Sequence, residues 1–219
     1  MNESGISCLE TYIHEFSFLD KDLFCPEIQM YNTFYPGKFW DRLKVIKGDI
    51  DTPFPFWSIV WPGGRALARF ILDHREMFRG KKILDYSCGS GIASFASFLA
   101  GGEVTGYDHD SGALAISEKL NKINAAQVKF IKQDILNFDP PEDTDIIIAG
   151  DIFYNREFTD KIFPLLKKKA GNGILCIVGD PGRITLPESW ISLDRYRVPV
   201  YPEIESVRFR DNEIIQILP

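Results

Sequence analysis

The sequence predicts an α/β fold: a doubly wound, mostly parallel seven-stranded sheet ending in a C-terminal antiparallel hairpin, with an N-terminal arm in front of it. Three observations predict it. From Lys81 onward, apolar runs alternate with amphipathic stretches, the pattern of strands joined by crossover helices. A glycine-rich turn, "SCGSG" at 87–91, directly follows the apolar run Lys82 to Tyr86. The tail from Ser192 to Pro219 alternates apolar and polar residues without another helical stretch, which suits two antiparallel strands.

The elements follow in order. Residues before about Asp51 show no dominant period; "PEIQMYNTF" alone reads as a strand, so residues 1–50 are expected to be an arm packed on a main domain of residues 51–219. Strands are expected at Lys82 to Tyr86, Glu103 to Asp108, Val128 to Gln133, Asp145 to Gly150 and Gly173 to Gly179. Between them Ile92, Phe95, Ala96 and Leu99 recur at helical spacing, as do Ala113, Ile116, Leu120 and Ile123, then Phe158, Ile162, Leu165 and Leu166. Each set marks a helix with one buried face. Lys167 to Lys169 and Gly171 close the last of these, since cations and glycine are normal at a helix C-terminus.

With 219 residues, 45% of them hydrophobic, the chain has material for one domain with a sizeable core. No apolar run approaches the roughly 20 residues that span a bilayer, and the start, "MNESGISCLETYIHEF", lacks the marks of a secretory or transit peptide. A cytoplasmic monomer away from membranes is expected. The four cysteines are scattered, without CxxC spacing, so neither a zinc site nor a disulfide framework is expected. A net charge of -6 without a Lys/Arg cluster argues against nucleic acid as partner and for basic protein surfaces.

The glycine turn wants a nucleotide-like ligand, and Asp85 decides which one. A dinucleotide would bring its pyrophosphate to this turn, where like charges about 4 Å apart cost roughly 4 kcal/mol even at an effective dielectric near 20. Asp85 therefore calls for a cation. S-adenosylmethionine carries an ammonium and a sulfonium, no phosphate, and one carboxylate able to lie on backbone N–H groups at the turn. Asp108 ends the next strand, at about the 20-residue distance where an acidic group meets ribose hydroxyls. Asp134 ends the third, placed to accept from an adenine amine or to guide it to a neighbouring N–H, that of Ile135. Asp151 ends the fourth. Each alone is equally readable as a helix cap or turn residue; four at successive strand ends line the crevice where open α/β sheets bind ligands. His74 and the side chain of His109 read as surface groups, and Cys88 as a small turn residue.

The stretches "PFWSIVWPGGRALARFILD" (55–73), "GDIFYN" (150–155) and "VGDPGR" (178–183), with a weaker echo in "CPEI" (25–28), resemble the electron-transfer-flavoprotein β-subunit lysine methyltransferases, a group of the seven-stranded, Rossmann-like S-adenosylmethionine-dependent methyltransferases. The likeness covers nearly the whole chain, and the lack of a transit peptide at its start favours the bacterial kind. It implies a transferase that methylates protein lysine, with the flavoprotein β subunit as a possible substrate. Asp151 and Tyr154 of its D-x-x-Y motif would face the substrate nitrogen. Trp61 would cover the cofactor, whose site would take in Asp85, Ser87, Gly89, Gly91, Asp108, His109, Asp134, Ile135 and Asp151. Ser87 departs from the pattern, standing where the family usually has the first glycine of the turn. A carboxylate alone would stabilise a lysine's charged form, so Asp151 reads as an orienting group and water as the proton's destination. Phe54, Phe56, Trp57 and Trp61 form either a cation-tolerant channel or plain core. A small-molecule N-methyltransferase and a non-catalytic S-adenosylmethionine-binding module are the alternatives.

Overall fold

The computed structural model describes residues 8–33, 35–184, 186 and 189–219. Its main sheet has seven strands: β3 (Lys82–Tyr86), β4 (Glu103–Asp108), β5 (Lys129–Lys132), β6 (Ile146–Gly150), β7 (Leu175–Asp180), β8 (Trp190–Pro199) and β9 (Phe209–Ile217), in the order β5-β4-β3-β6-β7-β9-β8. The first five run parallel, and β9 pairs antiparallel with both β7 and β8. The expected architecture is thus the observed one, with one addition. The last strand in sequence inserts between β7 and β8, so the hairpin's outer strand forms the sheet edge.

Strands buried on both faces should be continuously apolar, and β6 is: Ile146 and Ile148 join one core cluster, Ile147 and Ala149 the other. On the first face lie α2 (Pro62–Asp73), α3 (Ile92–Leu99) and α4 (Ser111–Ile123); on the second lies α5 (Arg156–Gly171). The lysine run at the end of α5 is a helix end as expected, with Lys169 buried and paired with Asp139.

Two twelve-residue helices have no counterpart in the sequence-based expectation. One is α1 (Pro36–Lys47), in the N-terminal segment; the other is α2. Of the twelve residues of α2, nine are buried, from Pro62 to Leu72, because the sheet covers one side and the N-terminal segment the other. Its sequence does carry a helical period, with Arg65, Arg69 and Asp73 on one face and Leu67, Phe70 and Ile71 on another, but its Pro-Gly-Gly start reads locally as a turn. "PEIQMYNTF" does contain a strand, β2 (Gln29–Asn32), but it pairs only with β1 (Phe18–Lys21) in a separate ribbon, and Phe34 lies outside the described residues.

An ion pair staples this ribbon to α2. Arg65 is 2% exposed, and its Nε donates to Asp22 Oδ2 at 2.7 Å while Nη2 donates to Asn32 Oδ1 at 3.2 Å. The other carboxylate oxygen of Asp22 accepts from the N–H groups of Phe24 and Cys25. Nearby Tyr12 donates to the Ser58 carbonyl and packs on Phe39 and Trp57. Breaking one half of such a pair strands a buried charge. Arg65→Ala is expected to cost about 3–5 kcal/mol in urea unfolding, whereas the double replacement Arg65→Met, Asp22→Leu should recover most of that loss. A double variant no more stable than Arg65→Ala would refute this reading.

Candidate active site

The strand order reverses between β3 and β6, so the connections leaving their C-terminal ends diverge and open a crevice. The turn after β3 forms one wall. Ser87, Gly89 and Gly91 all have positive φ, at 56°, 54° and 89°. Gly91 is the N-cap of α3, so the turn delivers the chain into a helix start whose N–H groups face the crevice. Serine at the first of these positions holds a left-handed backbone that costs a non-glycine residue on the order of 1 kcal/mol.

Asp85 lies beneath this turn, 2% exposed, accepting from Ser94 Oγ at 2.6 Å. Burial pushes its carboxyl up to about 7, only partly opposed by Ser94, and the neighbouring Asp108 pushes the same way. Asp108, 7% exposed, accepts from Gly89 N at 3.0 Å and Asp110 N at 2.9 Å; burial raises it too, against those two hydrogen bonds. His109 stands outside, its side chain 82% exposed, 3.5 Å from Asp108. Asp134 is exposed and caps a 3₁₀ turn, Ile135–Asn137, accepting from Leu136 N and Asn137 Nδ2; Ile135 is buried behind it.

The opposite wall is α2. Its N-terminus lies so close to the ends of β6 and β7 that a Cβ on Gly63 would stand 2.6 Å from Asp151 Oδ2, and one on Gly150 would stand 2.5 Å from Gly64 Cα. Asp151, with φ 52°, accepts at Oδ2 from the Gly63 N–H and at Oδ1 from Arg183 Nε, 3.3 Å away. Burial raises its carboxyl, and Arg183 and the Gly63 amide pull it back. Both oxygens face donors, so the ionised form is the one this geometry serves. Arg183 also donates to Glu205 Oε1 at 2.6 Å, whose second oxygen accepts from Arg210 Nε at 2.8 Å.

Aromatic rings line the mouth. Tyr154, 46% exposed, stacks on Phe158 at 5.3 Å and lies 5.7 Å from Phe56, itself 53% exposed. Phe56 reaches Phe54 at 5.2 Å and Trp61 at 6.0 Å, and the Arg183 guanidinium sits 5.6 Å from the Trp61 ring. Trp57 belongs to the core instead, 7% exposed among Tyr12 and Phe39.

The structure thus brings Asp85, Ser87, Gly89, Gly91 and Asp108 together, and sets Asp151, Trp61 and Tyr154 together on the other side. Asp134 and His109 lie outward of both groups. Gly63, Arg183 and Glu205 complete the second group and were not singled out as site residues from sequence, although Gly63 and Arg183 stand inside the quoted WPGG and VGDPGR stretches.

The first group fits one kind of ligand. Two buried carboxyls with no cationic side chain between them, under a turn of backbone donors, suit a molecule with a cationic end and a carboxylate and would repel a pyrophosphate. A seven-stranded sheet of this order with such a crevice is that of the S-adenosylmethionine-dependent methyltransferases, and S-adenosylmethionine is the cofactor. Residues 78–205 match the methyltransferase-domain family. More narrowly, the chain belongs to the family of the electron transfer flavoprotein beta subunit lysine methyltransferases. It is 31% identical to the human enzyme of that name over 188 residues, 84% of this chain and 70% of that protein. To the Caenorhabditis elegans homolog it is 35% identical over 162 residues, 66% of each. In fold it is similar to magnesium protoporphyrin IX methyltransferase from Synechocystis PCC 6803, solved with SAH bound (TM-score 0.53, 15% identity, 85% of this chain and 96% of that one). It is also similar to ribosomal protein L11 methylase from Lactobacillus delbrueckii subsp. bulgaricus (TM-score 0.50, 19% identity, 70% and 77%).

Two predictions follow from the turn. Ser87→Gly should relieve the left-handed serine and stabilise the chain by up to ~1 kcal/mol, net of glycine's greater unfolded-state entropy, as read by urea unfolding. A loss of more than that amount would mean that the serine hydroxyl is structurally needed. Asp85 has a folded-state carboxyl raised above its ordinary value, so between about pH 4 and 7 the folded chain keeps a proton that the unfolded chain has lost. Its contribution to stability therefore falls as pH rises through that window. Asp85→Asn should be increasingly more stable than wild type from pH 5 to 7.5, yet bind S-adenosylmethionine at least tenfold more weakly by calorimetry. Affinity in wild type should rise over the same range, because a cation beside Asp85 favours the carboxylate. A flat pH profile of binding would contradict this assignment.

Proposed function

We propose that this chain transfers a methyl group from S-adenosylmethionine to the ε-amine of lysine on a protein, and that residues 51–219 form the catalytic domain with residues 1–50 as an arm on it. The observation that carries this reading is the aromatic rim beside Asp151, in which exposed Phe56 and Tyr154 stand against half-buried Trp61 and Phe158. The names of the human and nematode relatives support it, and make the electron transfer flavoprotein β subunit the first substrate to try. A cytoplasmic monomer that binds neither nucleic acid nor membrane completes the proposal; among the described residues no helix is long and apolar enough to cross a membrane.

When bound, S-adenosylmethionine supplies an electrophilic methyl group on a sulfonium. The chain's own residues have to deliver an uncharged amine to it. A lysine ammonium has a reference pKa of about 10.4, and a free carboxylate beside it would hold the proton more tightly. Asp151 avoids that effect because Gly63 and Arg183 occupy its oxygens. Its role in this reading is to orient: it holds the N-terminus of α2, and with it Trp61, against the ends of β6 and β7. Tyr154 and Phe56 receive the lysine stem, and their ring faces hold the ammonium by about 0.5–2 kcal/mol, so release of its proton to water is opposed only by that small amount. Burial raises the Tyr154 phenol, which stays neutral and able to donate. Placement of the nitrogen roughly 3–3.5 Å from the methyl carbon then supplies most of the catalysis.

The decisive experiment incubates the protein with radiolabelled S-adenosylmethionine and purified electron transfer flavoprotein β subunit, with cell extract in parallel, and maps labelled residues by mass spectrometry. Label on lysine is expected. Faster transfer to a free amine metabolite than to any protein would replace this reading with that of a small-molecule N-methyltransferase. Phe56→Ala and Tyr154→Ala should each raise KM for the protein substrate about tenfold while leaving the affinity for S-adenosylhomocysteine within twofold, and Tyr154→Phe should lie close to wild type. A parallel loss of S-adenosylhomocysteine binding would assign these rings to the cofactor.

A further inference from the structure

Asp180, the last residue of β7, is buried, and it lies close enough to Asp151 and Arg183 to act on their charges. It directly opposes Glu213 on β9, which in turn opposes Arg195 on β8. Directly opposed residues of antiparallel strands project to the same face, so these three side chains stand on the face that Val178 and Ile215 share with α5. A cavity of about 700 Å³ opens there, between the β8–β9 hairpin and the chain that leaves β7; its wall includes Asp180, Trp190, Arg195, Arg197, Asp211 and Glu213. None of the residues assigned above to the cofactor or to the aromatic rim lines it.

The charges in this wall are unevenly committed. Arg195 donates to Glu213 at 3.0 Å, and the Arg197 guanidinium lies 5.3 Å from the Phe209 ring. Arg183 pairs with Asp151 and Glu205, and its charge and backbone N–H also favour the Asp180 carboxylate. Asp211 is exposed at the mouth. Asp180 is only 6% exposed, and its Oδ1 accepts from Gly182 N at 2.7 Å, but Oδ2 has no hydrogen-bond partner among the described residues. Burial pushes the carboxyl up to about 6, against the Gly182 amide and the charge of Arg183. A buried carboxylate oxygen without a donor is costly, and each such group in a native structure calls for an explanation, a ligand, an ion or a water among them.

We propose that this cavity is a docking subsite for a basic side chain of the protein substrate, a lysine or arginine other than the one methylated, whose cationic head donates to Asp180 Oδ2 while its aliphatic stem lies along Trp190 and Ile215. The inference rests on the protein-lysine reading of function and adds to it a second point of recognition. It also gives the acidic chain, with its net charge of -6, a definite place at which to meet a basic surface.

The test uses agmatine, a small guanidinium compound, and the isosteric variant Asp180→Asn, which keeps the acceptor for Gly182 N–H. In wild type, agmatine should shift the Gly182 amide resonance in a ¹H–¹⁵N spectrum and inhibit transfer competitively against the protein substrate but not against S-adenosylmethionine. In Asp180→Asn the shift should disappear and KM for the protein should rise about tenfold, with kcat falling less than threefold and the affinity for S-adenosylhomocysteine within twofold. A spectrum that still responds to agmatine in the variant, or a KM within twofold of wild type, would overturn the proposal. Should Asp180→Asn fold poorly by circular dichroism, the wild-type spectrum and inhibition pattern decide it: no response at Gly182, or inhibition competitive with S-adenosylmethionine, overturns it. A wild type that binds agmatine at Gly182 yet methylates no protein would defeat the lysine reading and leave the cation site standing.

Discussion

The N-terminus of α2 lies directly on the ends of β6 and β7, backbone against backbone, and the rest of the crevice depends on that contact. Gly63, Gly64, Gly150 and Gly179 make it possible: a Cβ on Gly63, Gly150 or Gly179 would run into backbone atoms of the facing element, which cannot rotate away as a side chain can. The close approach puts the Gly63 N–H onto Asp151 and brings Trp61 to the crevice mouth. One helix start thereby sets the position of a buried carboxylate and of the aromatic rim together. Because interiors are close-packed and stiff, a displacement here would be transmitted to both.

Two sets of carboxyls meet at the strand ends, and they are managed differently. Asp85 and Asp108 are buried among hydroxyl and backbone donors, with only the exposed His109 ring near Asp108, a destabilising arrangement that a cationic ligand relieves. Asp151 and Glu205 are balanced from within the chain by Arg183 and Arg210. The first set binds; the second organises. A buried ion pair is often no more stabilising than apolar residues of similar volume, so the value of the Asp151–Arg183–Glu205–Arg210 chain lies in geometry: it joins the end of β6, the turn after β7 and the connection between β8 and β9 at one point beside Trp61.

The N-terminal segment contributes to the same frame. Through Asp22 and Asn32 it grips Arg65, one turn into α2, and through Tyr12 it packs under Trp57 and Ser58. The helix that shapes the crevice is therefore fixed at its start by the sheet and along its outer side by the β1–β2 ribbon.

By itself the sequence determined the parallel strands, the helices α3 to α5 and the glycine turn, because these rest on local physics: apolar runs where strands are buried on both faces, helical spacing where a helix has one wet side, and small residues where the backbone turns left-handed. It also placed acidic residues at successive strand ends, since each follows its strand immediately. Tertiary structure alone decided what those acids do. Asp134 is an exposed cap, Asp108 serves the turn, and Asp151 meets Gly63 and Arg183, 88 and 32 positions away. Such partners leave no periodic trace, because choosing among distant donors depends on which elements the fold brings side by side. α2 is a partial case: the helical period is present, with Arg65, Arg69 and Asp73 on one face, but its Pro-Gly-Gly start reads locally as a turn, and its glycines mark contacts with strands that lie far along the chain.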